Sequence, residues 1–275
     1  MPADLHIHTN FSDGLLSPED MVRQAKKAGL TTIAVTDHDT VDGVARAIEE
    51  GAKVGVRVIP GIEFTTDVPE AEVHILGYFI DHKAEWLLEL LKKIREDRVA
   101  RLYKMLDKLG KLGIKIDPQE ILTLVDLGSV GRPHVARALL SKGKVRSIQE
   151  AFDKYLDFGA PAYVAHFKLT PMEAIATIRK AGGVSVLAHP GVSDMDGIIT
   201  DLVSSGLMGI EVYYSKHTRE QVNHYLQMTE KYGLLATGGS DFHGSVMRDV
   251  ALGDIKVPDD VVNKIEEKLK KYGNR

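Results

Sequence analysis

Ala3-Asp4-Leu5-His6-Ile7-His8-Thr9, running on into Asn10-Phe11-Ser12-Asp13-Gly14, is the stretch on which the fold turns. Residues 3–7 read as a short strand. Side chains two apart along an extended chain share a face, so His6 and His8 point the same way and both can reach one cation. A strand that ends in two imidazoles and hands on to the carboxylate of Asp13 is how a barrel begins when its working groups sit where strands end.

Outward from this strand the first half alternates strand and helix. Ser17-Pro18-Glu19-Asp20 supplies an N-cap, a first-turn proline and a capping acid for a helix ending at Gly29. The β-branched run Thr31 to Thr36 follows, then a helix over Val41 to Val54, a strand over Val56 to Phe64 and an alternating strand over Val73 to Ile80. From Lys83 a charged helical stretch runs to Gly113, with Leu87, Leu91, Ile94, Leu102, Met105 and Leu109 at helical spacing. Shorter helices over Pro118 to Val125, Arg132 to Ser141 and Ser147 to Leu156 lead to Gly159-Ala160-Pro161. Barrel rhythm resumes at Thr170-Pro171-Met172-Glu173, with strands at Val184 to Ala188, Met208 to Tyr213 and Leu234 to Gly238. Seven strands, most followed by a helix, predict an α/β fold: a closed or nearly closed parallel barrel in two parts, 1–82 and 161–275, around an all-helical insert, 83–160.

Composition narrows the chemistry. The 275 residues contain no cysteine, so thiolate nucleophiles and sulfur-built zinc sites are excluded and any metal is held by His, Asp and Glu. A formal charge of −4 argues against a large sequence-independent nucleic-acid footprint, although local basic clusters can still hold a nucleotide or a short oligonucleotide. No apolar run approaches the ~20 residues of a membrane span. The start, Met1-Pro2-Ala3-Asp4, lacks the basic and apolar regions of a secretory signal, so the expectation is a cytoplasmic protein.

Mapped onto the strands, nine metal-ligand types fall at or near one face. His6 and His8 close the first strand, with Asp13 after it, and His38 follows the second beside Asp37. Glu63 ends the third, His74 lies in the fourth, His189 follows the fifth, and Asp241 and His243 follow the last. A lone H-x-H pair is weak evidence and a lone strand histidine is usually a core residue; the recurrence at strand ends is what points to a metal cluster. Imidazole with carboxylate suits zinc, manganese or iron, and a carboxylate such as Glu63 can bridge two ions.

The other histidines read differently. His82 and His224 look solvent-exposed, and His166 is balanced between surface and site. His134, a candidate catalytic residue, lies in Gly131-Arg132-Pro133-His134, where Pro133 opens a helix and leaves Arg132 at its N-terminus, either a bidentate phosphate ligand or a surface ion pair. His217, in the loop after Glu211-Val212-Tyr213, is a candidate proton donor or phosphate ligand, or else a capping or surface residue.

Four segments together resemble the PHP (polymerase and histidinol phosphatase) phosphoesterases: His6-Ile7-His8-Thr9 through Ser12-Asp13-Gly14, Thr36-Asp37-His38-Asp39-Thr40, Ala188-His189-Pro190 and Gly239-Ser240-Asp241-Phe242-His243. Gly131 to Leu139 and the stretch from Ala151-Phe152 to Tyr163 extend the likeness to the TrpH-like branch, which is similar to nucleoside 3′,5′-bisphosphate phosphatases and 5′-to-3′ exoribonucleases. The resemblance implies a distorted (β/α)7 barrel and two or three divalent ions (Mn, Fe or Zn). It places His6, His8, Glu63 and Asp241 around one, Glu63, His74 and His189 around a second, and Asp13, His38 and His243 around a third.

The chemistry so implied is in-line attack on phosphorus by a hydroxide bridging the ions, with Arg132 neutralising phosphoryl charge. The expected substrates are phosphate monoesters of nucleotides, 3′,5′-bisphosphonucleotides such as pAp and nucleoside monophosphates, together with short 5′-phosphorylated RNA. No protein partner is inferred. A histidinol-phosphate phosphatase, a barrel amidohydrolase (which also opens with H-x-H) and a non-catalytic metal- or RNA-binding module are the competing readings.

Overall fold

In the computed structural model of the chain, one sheet runs in sequence order: β1 (Ala3–Ile7), β2 (Thr32–Val35), β3 (Arg57–Val68), β4 (Ala71–Tyr78), β5 (Val184–Leu187), β6 (Gly209–Tyr214) and β7 (Leu235–Gly239). The structure describes all residues except 1, 69–70, 124–128, 166–168, 194, 245–249, 256, 259 and 274–275. His166 therefore lies outside the described residues.

The seven expected strands are present and the sheet curls almost shut. The amide of Asp241 donates to the carbonyl of His6 (2.8 Å) and that of His8 to the carbonyl of Phe242 (3.0 Å), which joins the end of β7 to β1. Gly239 permits this approach, since a Cβ there would sit 2.4 Å from the Cβ of His6. The parallel expectation needs one correction: β4 runs antiparallel to both β3 and β5, whereas the other neighbouring pairs are parallel. β3 and β4 follow each other in the chain and pair antiparallel, a connection that needs no crossover helix.

The helices are α1 (Pro18–Lys27), α2 (Val44–Val54), α3 (Glu85–Lys111), α4 (Pro118–Leu122), α5 (Arg132–Ser141), α6 (Ile148–Ala151), α7 (Pro171–Lys180), α8 (Pro190–Ser193), α9 (Ile199–Ser204), α10 (Arg219–Tyr232) and α11 (Val261–Gly273). Their starts follow the sequence signals. Ser17 Oγ accepts from the Asp20 amide (3.1 Å), and Thr170 and Glu173 close a reciprocal capping box at α7. Among the described residues no helix is long and apolar enough to cross a membrane.

Two apolar cores matter for the site. One lies between the strands and α1, α2, α7, α9 and α10, and takes in Leu87, Leu91 and Ile94 from the first half of α3. A second gathers Leu102, Met105 and Leu109 from the rest of α3 with Ile121, Val135, Leu139 and Leu156. Thus α3 is pinned to the barrel at one end and carries a separate helical cluster at the other. Removing a fully buried leucine such as Leu102 typically costs about 2–5 kcal/mol.

Candidate active site

The nine sequence-selected side chains converge at the end of the barrel where β1, β2, β5 and β7 finish; Glu63 lies inside β3, which runs on to Val68, rather than at its end as expected, and His74 lies inside β4. Glu63 is at the centre. Its Oε2 lies 3.1 Å from His38 Nδ1, 3.2 Å from His8 Nε2 and 3.3 Å from His6 Nε2, while its Oε1 lies 2.8 Å from His74 Nδ1 and 3.2 Å from His189 Nε2. Asp241 Oδ1 approaches His8 Nε2 at 3.1 Å and His6 Nε2 at 3.4 Å. Asp13 Oδ1 approaches His243 Nε2 at 3.1 Å and His8 Nδ1 at 3.7 Å.

Backbone placement explains the convergence. Asp241 and His189 sit just past strand ends with positive φ, 55° and 26°, conformations costly for side chains other than glycine and found at functional turns. Gly14 lets the loop after β1 fold over His8, since a Cβ there would meet the carbonyl oxygen of His8 at 2.4 Å. Asp37 does not join the donors. It is buried and ties the same loop down, accepting from the Thr9 amide and hydroxyl (2.7 Å each) and from Ser12 Oγ (2.6 Å).

The donor set fits metal ions. His6 Nε2 and His8 Nε2 face each other at 3.1 Å, although His6 Nδ1 is turned to Glu211, so an unprotonated Nε2 directs its lone pair into the gap between them. Glu63 Oε2 and His189 Nδ1 are buried without a hydrogen bond. Among the described residues three groups have donor atoms within 4.8 Å of one another: His8, Asp13, His38 and His243; His6, His8 and Asp241; His38, Glu63 and His74. They overlap the three sets implied by family likeness, with His8 and His38 shared more widely.

Electrostatics agree. Burial disfavours charge on His8, but the Asp241 and Glu63 carboxylates outweigh it and hold the imidazole up at about 10. His74 rises to about 9 against burial because of Glu63 and Glu72. Burial dominates at His38, which falls to about 3. Burial opposes ionisation of Glu63 and Asp13 as well, yet the surrounding imidazoles take both well below the ordinary carboxylate range. Carboxylates so strongly favoured as anions among imidazoles are groups that divalent cations bind.

The cleft outside the cluster holds about 140 Å³ and is lined by Asp13, His38 and His74 on the barrel side and by Arg98, Arg101, Arg132 and Phe152 on the helical side. Arg132 is among the lining residues. Its Nη2 donates to Glu72 Oε1 (2.8 Å), its Nη1 to the Leu156 carbonyl (3.4 Å), and its guanidinium lies 5.5 Å from the Phe152 ring. It is thus both an ion-pair partner and a cleft residue.

His134 and His217 do not line the cleft. His134 is buried, accepts at Nδ1 from the Gly131 amide (3.1 Å), and is pushed down by burial to about 4. His217 donates from Nδ1 to the Val212 carbonyl (2.9 Å) and accepts at Nε2 from the Gly191 amide (3.1 Å), which occupies both ring nitrogens. His224 is exposed beside Asp196 as expected, whereas His82 is half-buried rather than exposed.

Several supporting residues escaped the sequence reading. Glu211, fully buried in β6, meets His6 Nδ1 at 3.0 Å and accepts from the His189 amide at 2.8 Å. Tyr214 donates its hydroxyl to Asp241 Oδ2 (3.0 Å). Asp4 accepts from the Ser240 amide (2.8 Å), and Arg98 pairs with Asp39 and Thr65. A carboxylate inside an otherwise apolar strand was the available signal for Asp4 and Glu211.

Comparison with known proteins matches this geometry. A family model described as the PHP domain matches residues 4–165. The chain is 35% identical over 255 residues to a 3′,5′-nucleoside bisphosphate phosphatase of Chromobacterium violaceum, covering 90% of each chain. It is 34% identical over 245 residues to a 5′-3′ exoribonuclease of Haemophilus influenzae, covering 87% of this chain and 89% of that one. A solved structure from Bifidobacterium adolescentis, assigned as a metal-dependent phosphoesterase, superimposes with a TM-score of 0.88 at 32% identity, covering 96% of this chain and 94% of the other. With the donor cluster at its barrel mouth, the chain belongs to the PHP domain family and is a phosphoric ester hydrolase.

Proposed function

We propose that the chain removes phosphate from nucleotides, 3′,5′-bisphosphonucleotides such as pAp and nucleoside monophosphates, and trims short 5′-phosphorylated RNA. The observation that carries this reading is the adjacency of the nine-donor cluster and Arg132 across one cleft. Two or three ions of manganese, iron or zinc would be held by His6, His8, Asp13, His38, Glu63, His74, His189, Asp241 and His243. When bound they would neutralise phosphoryl charge and acidify a water.

The remaining residues bind and position. Arg132, fixed by Glu72, Leu156 and Phe152, offers a phosphate its charge without having to be ordered first. Arg101, whose buried Nη2 has no partner and whose pKa burial lowers to about 10, adds a second cation to the same wall. His134 caps α5 and so sets the start of the helix from which Arg132 projects; His217 secures the loop after His189. Residues 83–160 act as an inserted helical domain that covers the barrel mouth.

The test is metal analysis of purified protein followed by a phosphate-release screen over 3′,5′-bisphosphonucleotides, mononucleotides, histidinol phosphate and short 5′-phosphorylated RNA. Turnover of the nucleotides supports the reading. Turnover of histidinol phosphate alone, or bound metal with no phosphate released from any of them, overturns it.

A further inference from the structure

Beside the cleft a groove of about 370 Å³ opens, and Arg132 and Glu72 line both. Its floor is apolar, formed by Val68, Phe158, Tyr163 and Ala165. Phe158 is 76% exposed, the most exposed large hydrophobic side chain among the described residues. The open ring puts an aromatic face within reach of a ligand in the groove.

The ring is held in place. It meets Tyr163 edge-on, with centroids 5.4 Å apart at 66°, and the Tyr163 ring lies 5.9 Å from the Arg101 guanidinium. The Tyr163 carbonyl accepts from Lys108 Nζ (2.5 Å), and the next carbonyl, Val164, accepts from Arg101 Nε (2.7 Å), so α3 braces the segment. Charge selects what can enter. Glu72, paired with Arg132 and His74, and Asp67 both stand on the groove wall, and a carboxylate offers no hydrogen-bond donor to a second phosphate. An uncharged, flat, polarisable group fits best.

We infer that Phe158 and Tyr163 form a stacking platform for the nucleobase attached to the phosphate bound in the cleft. The inference rests on the nucleotide-phosphoesterase reading and goes further, because it assigns selection for a base to residues remote from the metal ligands. Aromatic stacking on a base is sequence-tolerant, so the platform accepts any nucleobase and discriminates against phosphate esters that lack one.

Fluorescence quenching of 2-aminopurine riboside 5′-phosphate by the full-length chain, without added metal, tests stacking directly. The expected result is strong quenching by the natural chain, binding weakened about fivefold or more by Phe158→Ala, and recovery with Phe158→Trp. In the metal-loaded enzyme, Phe158→Ala should lower the ratio of kcat/KM for AMP to kcat/KM for ribose 5-phosphate by a similar factor. Equal quenching by Phe158→Ala, or an unchanged ratio, overturns the inference. So does a loss confined to a 5′-phosphorylated trinucleotide, which would assign the platform to the next base of an RNA. A chain that hydrolyses no phosphoester but shows Phe158-dependent quenching would remove the catalytic reading and leave the platform standing.

Discussion

His6 and Glu211, one from β1 and one from β6, meet at 3.0 Å with both side chains fully removed from solvent. The same side chain accepts from the His189 amide, so one buried carboxyl group orients two of the proposed ligands. Partners behind a ligating histidine fix its ring and raise its basicity, and their loss typically weakens metal binding about 10- to 100-fold. Glu211→Gln should therefore fold normally by circular dichroism yet need that much more metal in a calorimetric titration. Unchanged affinity would remove the role assigned to Glu211.

Metal removal should cost stability as well as activity. Without cations the cluster holds Asp13, Glu63 and Asp241 against several imidazoles, a set of buried charges that binding relieves. Chelation should abolish phosphate release and lower the melting temperature, and restoring manganese to 100 times its Kd should return about 2.7 kcal/mol. A melting curve indifferent to metal would contradict the arrangement.

The helical segment is locked to the barrel by charge. Arg98 from α3 is paired with Asp39 just past β2, and both are buried. Arg98→Met strands the Asp39 carboxylate and should cost about 3–5 kcal/mol in urea unfolding. Adding Asp39→Asn, which tolerates the positive φ of 52° at that position, should recover part of the loss. Additive losses would mean that the pair is not coupled.

His134 predicts a pH dependence. Burial depresses its folded pKa from 6.5 to about 4, so between these values the unfolded chain binds the extra proton. Its contribution is complete above about pH 6.5 and is lost as pH falls towards 4, by at most about 1.4 kcal/mol per pH unit. His134→Asn should flatten that part of the stability profile. Parallel profiles for the two proteins would show that His134 already carries a proton in the fold.

The residues named in sequence were those with a local signature. His6-x-His8, Asp37-His38 and Asp241-x-His243 announce themselves because imidazole and carboxylate at strand ends have few structural uses, and capped helices at Ser17 and Thr170 are marked by their own side chains. What stayed hidden depends on pairing across distance. The reversal of β4 is not visible in its alternating pattern, which is the same in either direction. Glu211, Asp4 and Arg98 read as ordinary strand and helix residues until the barrel closes and shows what each faces. His134 and His217 carry side chains that suit catalysis, but backbone groups claim ring nitrogens of both, and only folding brings such a carbonyl or amide to them.

The reversed β4 also constrains how the chain reaches its native state. It pairs with β5 at Ile75–Leu187 through Tyr78–Val184, with residues 79–183 between them. Ring closure of that size in a loose chain carries a considerable entropy cost, and it falls if the intervening helices collapse first around Leu102 and Val135 and draw the two strands together. A helical segment that looks like an addition to the barrel thus becomes the clasp that lets its two halves meet, and slow refolding should accompany any change that loosens its interior.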